Sequence, residues 1–434
     1  MHRFFSDHRI TVYEPVLGHE NVRTVVAGVL EQARHDGTAS SYEGLSDAVL
    51  HGLAKAASQT LLAVINATGV MLHTNLGRAP ISRAAWDAAG EIATGYSNIE
   101  YELDSGRRDS RYSRVSSILR ELSGAEDAIV VNNCAAAVVL ILDTFARNRD
   151  VIVARNELIE IGGEFRLPEV FARSGAHLVE VGAANKVYLR DYERTLSAKS
   201  ALLFRSHFSN FRTIGFTERV GGAELAQLGR RVGVPVVEDL GSGALIDLER
   251  FGLPHERTVR EAVRDGLELV AFSADKLLGG PQAGVIVGRR AHTGRLRENP
   301  LIRALRVDKV TIALLAQTLS LYRSEETLLE IPLFAMLDMP IDALRARAQR
   351  YVDALSSISV VASQGCVGGG SLPANSVPSV AIAVRDPEGR IEGALRSWIP
   401  PIVGRLESGS LLLDLRTIAP HHDDVVIAAL AARA

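Results

Sequence analysis

The hydrophobic rhythm of the chain changes twice. Over the first sixty or so residues, apolar positions recur at helical spacing. Val22, Val25, Val26, Val29, Leu30 and Ala33 share one face, and Leu45, Ala48, Val49, Leu53 and Ala56 share another. The polar run "HDGTASS" between them reads as a loop. From about residue 65 short apolar runs alternate with helical stretches: "AIVV" (128–131), "VIVA" (151–154), "HLVEV" (177–181), "ALLF" (201–204), "VPVVEDLG" (234–241) and "LELVAF" (267–272). That alternation predicts a mostly parallel sheet covered by helices. "AGVIVGR" (283–289) follows its predecessor too closely for a helical crossover, so it is predicted to run antiparallel. After a helical stretch near 308–323 the pattern changes again. "MPIDALRARAQRYVDAL" predicts a helix, "SVAIAV" (379–384) and "LLLDLR" (411–416) predict strands, and "PIVGRLESGSLLLDLR" predicts a hairpin turning at "ESGS". The expected organisation is α/β with three parts. These are a helical N-terminal domain over 1–62, a large domain with a mostly parallel sheet over 63–325, and a small C-terminal α+β domain over 326–434.

Composition narrows the function class. The 434 residues are 47% hydrophobic and 23% charged, with a net charge of −3. This is an ordinary globular composition without a global basic footprint for nucleic acid or anionic membrane. Residues 1–60 carry five Lys/Arg against seven Asp/Glu. The two cysteines, Cys134 and Cys366, make no disulfide framework, which suits a reducing cytosol. The opening "MHRFFSDHRITVYEP" has no apolar core of signal-peptide length. The most apolar run, "AIVVNNCAAAVVLIL", is interrupted by two asparagines. No membrane span and a cytoplasmic location are therefore expected.

The candidate chemistry starts at "SADKLLGGPQAG", Ser273 to Gly284. Lys276 follows an apolar strand, which puts it at the carboxyl edge of a sheet, where α/β proteins bind ligands. Burial there favours a nucleophilic amine. A lone lysine is usually a solvated surface group, and three further features change that reading. Asp239 ends the preceding strand in "VPVVEDLG". It suits a helix cap, a metal, or a pyridinium nitrogen whose proton it retains; with a lysine one strand later the last fits best. "NNCAAAVV" opens a helix after the strand "AIVV". The small residues Asn133, Cys134 and Ala135 let backbone N–H groups approach a phosphate, while tight packing is the plainer alternative. Nothing places Cys134 near a metal partner, and no metal is expected. Finally, Ser273 offers a hydroxyl to a phosphate, and Gly279 and Gly280 permit close backbone approach. A phosphate cup, a pyridinium aspartate and a Schiff-base lysine, in that order, match pyridoxal phosphate enzymes of the aspartate-aminotransferase fold type (fold type I).

A wider set of motifs points further: "INATGVMLHTNLGRAPIS", "SGRRDSRYSRV", "SGAEDA" with "VVNNCAAAV", "ELIEIGGEFRLPEV", "SNFRTIGFTE", "VEDLGSG", "FSADKLLGGPQAG", "LIRALRVDK", "GGGSLP" and "LLLDLR". With these, nearly the whole chain resembles the bacterial selenocysteine synthase family, the L-seryl-tRNA(Sec) selenium transferases. The resemblance implies an enzyme that converts seryl-tRNA(Sec) to selenocysteinyl-tRNA(Sec). Pyridoxal 5'-phosphate is the implied cofactor, selenophosphate the selenium donor, and an aminoacrylyl species the intermediate. Lys276 is then the Schiff-base lysine and α-proton carrier, and Asp275 an acid/base or orienting group. Arg78, Arg303 and Arg306 match arginines that cradle the selenium donor. The charge count agrees, since residues 289–309 hold seven Lys/Arg against two Asp/Glu. Arg107, Arg108 and Arg111 form another basic cluster, open to the tRNA acceptor end, the donor or a neighbouring subunit. "GGGSLP" (368–373) either borders the active site or is an ordinary loop. The resemblance also implies tRNA binding by the N-terminal domain and a homo-oligomer built as a ring of dimers. The family's N-terminal domain normally begins a few residues earlier, so the expectation is a start upstream or a trimmed domain. Asp109 stands where the family has glycine, Phe211 where it has tyrosine, and Cys134 where asparagine is common.

Two other readings compete. A pyridoxal phosphate lyase or transferase acting on a free amino acid or amino sugar needs an arginine for the free carboxylate, and Arg405 or Arg416 are candidates. A tRNA-binding or scaffold protein without chemistry would have no need of Lys276, Asp239 and the arginine triad.

Overall fold

In the computed structural model, residues 2–36, 41–57, 60–161, 165–208, 210–372 and 375–432 are described, with Ile161 and Phe165 described by their backbone alone. The middle of the predicted "HDGTASS" loop, the glycine pair and second glutamate of "EIGGE", Ser209 of "SNFRTIGFTE" and Pro373 of "GGGSLP" lie outside the described residues. The chain forms two units, one of residues 71–338 and 366–377, the other of 1–70, 339–365 and 378–434.

The larger unit is built on seven strands: β1 (Asp127–Val131), β2 (Asp150–Ala154), β3 (His177–Val181), β4 (Ser200–Ser206), β5 (Val236–Gly241), β6 (Leu269–Ser273) and β7 (Gly284–Gly288). Their spatial order is β1-β7-β6-β5-β4-β2-β3. Only β7 runs antiparallel to its neighbours, as its short connection to β6 requires. Every residue of β1, β4, β6 and β7 is buried. That is why these strands read as continuous apolar runs instead of alternating ones. The helix Cys134–Ala146 leaves the carboxyl edge of β1 and buries Ala137, Val138, Leu140, Ile141 and Leu142. The parallel pairing brings the carboxyl ends of β1, β4, β5 and β6 to one edge of the sheet.

The smaller unit contains the N-terminal helices His19–His35 and Tyr42–Ala57, which bury Val22, Val26, Val49 and Leu53 with Phe4, Ile10 and Tyr13. Four strands, β8 (Ser359–Cys366), β9 (Ser376–Arg385), β10 (Arg405–Glu407) and β11 (Ser410–Asp414), pair in the order β8-β9-β11-β10. The hairpin predicted at "ESGS" is β10–β11. Strand β8 was not expected from "SVVASQGC". It is an edge strand with most of its side chains exposed, so it carries no apolar signal.

Asp414 organises this unit. It is fully buried and accepts from Ser363 Oγ and Ser379 Oγ at 2.6 Å each and from the Arg416 N–H at 3.1 Å, with Arg405 Nη1 3.6 Å away. Removing one partner of a buried charged cluster typically costs ~3–5 kcal/mol. Asp414→Ala is expected to lower the stability of this unit by that order in urea denaturation, and Asp414→Asn by less, since the carboxamide oxygen still accepts. Equal stability of the alanine variant and the parent would remove Asp414 from this role. Among the described residues no helix is long and apolar enough to cross a membrane.

Candidate active site

Lys276 stands three residues beyond β6, in a turn tied down on all sides. The Ala274 N–H donates to Ala283 O at 2.9 Å and the Leu277 N–H to Ser242 O at 3.0 Å. The Gly279 N–H donates back to Lys276 O and the Gly280 N–H to Ala274 O. Gly279, at φ 73°, has no room for a side chain, because a Cβ there would lie 2.4 Å from Ile331 Cγ2. The glycine pair that the sequence suggested for phosphate approach therefore serves a tight, packed turn. Lys276 is only 7% exposed, and its Nζ has no hydrogen bond or ion pair among the described residues. The amine lies near Asp239 without bonding to it, which leaves it available for chemistry.

Asp239, at the carboxyl edge of β5, is buried. Burial raises its carboxyl pKa, opposed by a hydrogen bond from Cys134 and by the nearby charge of Lys276. The Cys134 thiol donates to Asp239 Oδ1 at 3.2 Å, and burial, reinforced by that carboxylate, holds the thiol pKa well above its ordinary value. Cys134 thus touches the candidate pyridinium partner directly, which its small size alone did not suggest.

The strand-to-helix junction beside it has the features of an anion cup. Asn133 caps the helix, its Oδ1 accepting from the Ala136 N–H at 2.8 Å. The N–H groups of Cys134 and Ala135 have no partner among the described residues. Gly284 makes the arrangement possible: a Cβ there would fall 2.0 Å from Asn133 O. Ser273 ends β6 and is buried, with no hydrogen bond from its hydroxyl among the described residues.

The arginines fall into two groups. Arg78 adopts a left-handed backbone (φ 64°), which is strained for a non-glycine residue. That conformation accompanies a hydrogen bond from its Nη1 to Asp275 Oδ2 at 2.7 Å, beside Lys276. Arg306 belongs to a segment fastened to the cup. The Asn132 N–H donates to Leu305 O at 2.9 Å, the Asn132 carboxamide donates to the carbonyls of Leu305 and Arg306, and Val131 bridges Arg306. Asn132 was passed over in the sequence, where only its neighbours read as phosphate contacts. Arg303 is exposed, and its side chain has no partner among the described residues. Among the described residues, Arg78 and Arg306 face different carboxylates, Asp275 and Glu100. In the second basic cluster, Arg111 grips Glu100 with two bonds of 2.7 and 3.0 Å and donates to Val307 O. Arg108 also reaches Glu100 at 3.2 Å, and Arg306 lies 4.0 Å from it. Arg108 and Arg111 therefore hold the chain around Glu100, and Arg107 stays exposed where it pairs antiparallel with Glu102.

"GGGSLP" does border the lysine. The connection between β8 and β9 is fastened by Met71 N–H to Cys366 O at 2.9 Å and Leu72 N–H to Val367 O at 2.7 Å. A Cβ on Gly370 would stand 3.4 Å from Lys276 Nζ. On the other side of Asp239, the His207 N–H donates to Asp239 O at 2.9 Å. Burial pushes the His207 imidazole down to about 4, so it is neutral at neutral pH, with Nδ1 3.8 Å from Glu256 Oε1. The only sequence signal for His207 was polar "RSH" closing an apolar strand.

Arg405 and Arg416 are engaged within the smaller unit. Arg405 donates to Thr68 O and Ser363 Oγ at 2.8 Å each, and Arg416 donates to Met339 O at 3.0 Å and Pro378 O at 2.5 Å.

A sequence profile of the L-seryl-tRNA selenium transferase family matches residues 64–419. The L-seryl-tRNA(Sec) selenium transferase of Moorella thermoacetica is 49% identical over 387 residues, covering 87% of this chain and 82% of the relative. That of Geobacter sulfurreducens is 44% identical over 429 residues, covering 94% and 93%. Among solved structures, D-glucosaminate-6-phosphate ammonia-lyase aligns with a TM-score of 0.61 at 18% identity, over 86% of this chain and 96% of its own, a likeness of fold. A profile match that takes in the cup, Asp239 and Lys276, together with relatives that span most of the chain, shows that this chain belongs to the L-seryl-tRNA selenium transferase family.

Proposed function

We propose that this protein converts L-seryl-tRNA(Sec) to L-selenocysteinyl-tRNA(Sec), with selenophosphate as the selenium donor and pyridoxal 5'-phosphate as the cofactor. The observation that carries the reading is the buried, unpartnered amine of Lys276 at the sheet edge that also bears Asp239 and the open N–H groups of Cys134 and Ala135. These residues fit the cofactor by charge and by donor type. The cup and the Ser273 hydroxyl suit its phosphate, with Asn133 capping the helix that forms the cup. Asp239 suits its ring nitrogen, and Lys276 suits its carbonyl carbon. Bound there, pyridoxal phosphate supplies a sink for the electron pair left at the substrate's α-carbon.

The chain's own residues supply the rest. Lys276 Nζ takes the α-proton, because it is the basic group held at that point. Asp275, fixed by Arg78, orients Lys276 and the incoming groups. The β-hydroxyl takes up a proton and leaves as water, selenium from the donor bonds to the β-carbon while Lys276 returns a proton to the α-carbon, and a water molecule cleaves the Se–P bond to release phosphate. Arg303 and Arg306, with Arg78, supply fixed positive charge for the donor. The competing reading, a lyase for a free amino acid, is weakened by the internal engagement of Arg405 and Arg416. The deciding assay is conversion of seryl-tRNA(Sec) with selenophosphate, with free serine as the control. Turnover of free serine with none of the aminoacyl-tRNA would reverse the assignment.

The donor site has its own test. Arg303→Ala is expected to weaken use of selenophosphate by at least about tenfold, the lower end of what losing a charged partner costs. Cofactor loading should hardly change, because the cup and Lys276 are untouched. Normal donor dependence combined with lost affinity for the tRNA would make Arg303 an RNA contact instead.

A further inference from the structure

The loop that leaves β4 carries a stack of side chains that ends on an exposed ring. At its base the buried carboxylate of Glu157 accepts from Arg219 Nη2 at 2.9 Å, and the same nitrogen donates to Ser206 O at 3.2 Å. The guanidinium carbon of Arg219 lies 3.6 Å from the centre of the Phe208 ring, a cation–π contact. The Phe208 ring packs in turn on Phe211, with centroids 4.6 Å apart and planes tilted by 40°. Phe208 is half-buried, whereas Phe211 is 37% exposed. A stack rooted in a buried ion pair thus finishes on a ring open to solvent.

This loop borders the site at two points. The His207 N–H donates to Asp239 O at 2.9 Å. Arg212, next to Phe211, donates from Nη2 to Asn375 Oδ1 at 2.7 Å, and the Asn375 N–H donates to Leu372 O at 3.2 Å. Two residues before Leu372, a Cβ on Gly370 would stand 3.4 Å from Lys276 Nζ. Arg212 is exposed and has no carboxylate partner among the described residues, so its charge is uncompensated.

In the proposed reaction the seryl group at Lys276 is esterified to the last nucleotide of the tRNA. That nucleotide is unpaired and one ester linkage from the reacting carbons, so it must lie at the rim of the site. Proteins hold unpaired nucleotides by stacking bases on aromatic rings and by setting cations against the phosphates. Phe211 and Arg212 place one of each at that rim. Ile214 and Phe216, further along the loop, are also exposed and would suit a protein partner, but the uncompensated arginine beside Phe211 favours a polyanion.

We propose that Phe211 is the platform on which the terminal base of the aminoacyl-tRNA stacks, with Arg212 beside it for the backbone phosphate. This rests on the proposed conversion of seryl-tRNA and adds a contact that free serine cannot make.

The test uses the holoenzyme and two stable ligands that are identical up to the amide nitrogen, 3'-(L-serylamino)-3'-deoxyadenosine and L-serine methylamide. Binding is read from the visible absorption of the bound cofactor. The parent protein is expected to bind the nucleoside at least about tenfold more tightly, within the range that one stacked base contributes. Phe211→Ala should reduce that preference at least about fivefold, the lower end of the same range, and Phe211→Tyr should keep it. L-serine methylamide should bind all three proteins within about twofold, the scatter of a residue that does not touch the ligand, which shows that the alanine variant is folded and loaded. Equal binding of the two ligands by the parent overturns the inference, and so does an undiminished preference in Phe211→Ala. A changed particle mass of Phe211→Ala with the preference intact overturns it too, and makes the ring a contact between copies of the chain. Turnover of seryl-tRNA(Sec) by the parent, measured on the same preparation, separates the two failures. Product formed without any nucleoside preference removes this inference alone, whereas absence of product removes the proposed function and this inference with it.

Discussion

Lys276→Ala is expected to lower turnover of seryl-tRNA(Sec) by about a thousandfold or more, since in the proposed mechanism one residue supplies both the amine that would hold the cofactor and the base at the α-carbon. In the parent protein, borohydride treatment followed by peptide mapping should place the cofactor on Lys276. In the variant, the cofactor should bind without a covalent link and wash out on dialysis. The structure adds an expectation that separates this lysine from a residue kept for stability. Its amine is buried with no hydrogen bond or ion pair among the described residues, and the nearby Asp239 offsets only part of the cost of burying it in the cofactor-free protein. Lys276→Met, of similar length and apolar, should therefore raise the melting temperature of the cofactor-free form while abolishing activity. A lysine retained for packing or for an ion pair would move both quantities down together. Mapping of the reduced adduct to a different lysine, or wild-type turnover of the alanine variant, would displace Lys276 from the centre of the site.

How far the sequence could be read depended on where each element lies in the molecule. The buried strands β1, β4, β5 and β6 were legible because a parallel sheet covered on both faces leaves unbroken apolar runs. The antiparallel β7 was legible from the length of its connection alone. Strand β8 was not, because an edge strand with exposed side chains has no hydrophobic signature. At the site, Lys276, Asp239 and the helix at Asn133 could be found because each follows an apolar run at its carboxyl end. Partnerships across the fold left no trace in local sequence. Nothing near Cys134 indicates that its thiol meets Asp239, 105 residues away. Nothing near Glu100 shows that it holds Arg108 and Arg111, which made their charge look available for a ligand. Asn132 fastens the Arg306 segment through hydrogen bonds to backbone carbonyls, a contact that does not depend on the identity of the residues that accept it. The left-handed backbone at Arg78 was equally hidden, since arginine is not a residue chosen for that conformation.

Asp239→Asn is the sharper test of how the cofactor would be activated. The substitution keeps the shape of the side chain and one oxygen for the Cys134 thiol, while it removes the charge and turns the second oxygen into an N–H donor. A carboxylate facing a ring nitrogen keeps that nitrogen protonated, and the protonated ring is the stronger electron sink. Replacing one charged partner of a buried pair costs ~2–5 kcal/mol, which corresponds to a loss of roughly 30- to 5,000-fold in turnover if the whole effect falls on the transition state. Cofactor retention should fall much less, because in the proposed site its phosphate would be held by the helix at Cys134 and Ala135 and its carbonyl by Lys276. Burial raises the carboxyl pKa of Asp239 in the cofactor-free protein, opposed by the Cys134 hydrogen bond and the charge of Lys276, and a further positive charge beside it would favour the carboxylate more strongly. Cofactor binding should therefore be accompanied by proton release from Asp239 or proton uptake by the ring. Titration calorimetry in buffers of different ionisation heat should detect a proton change in the parent that Asp239→Asn lacks. Cys134→Ala serves as the companion variant. It removes one weak hydrogen bond to the carboxylate and leaves the charge, so it should reduce turnover by no more than about tenfold, the scale of a single modest hydrogen bond. If Asp239→Asn turned over at the parent rate with the parent's proton change, the ring nitrogen would be unprotonated or held by another group, and Asp239 would be left as a helix-edge carboxylate paired with a buried thiol.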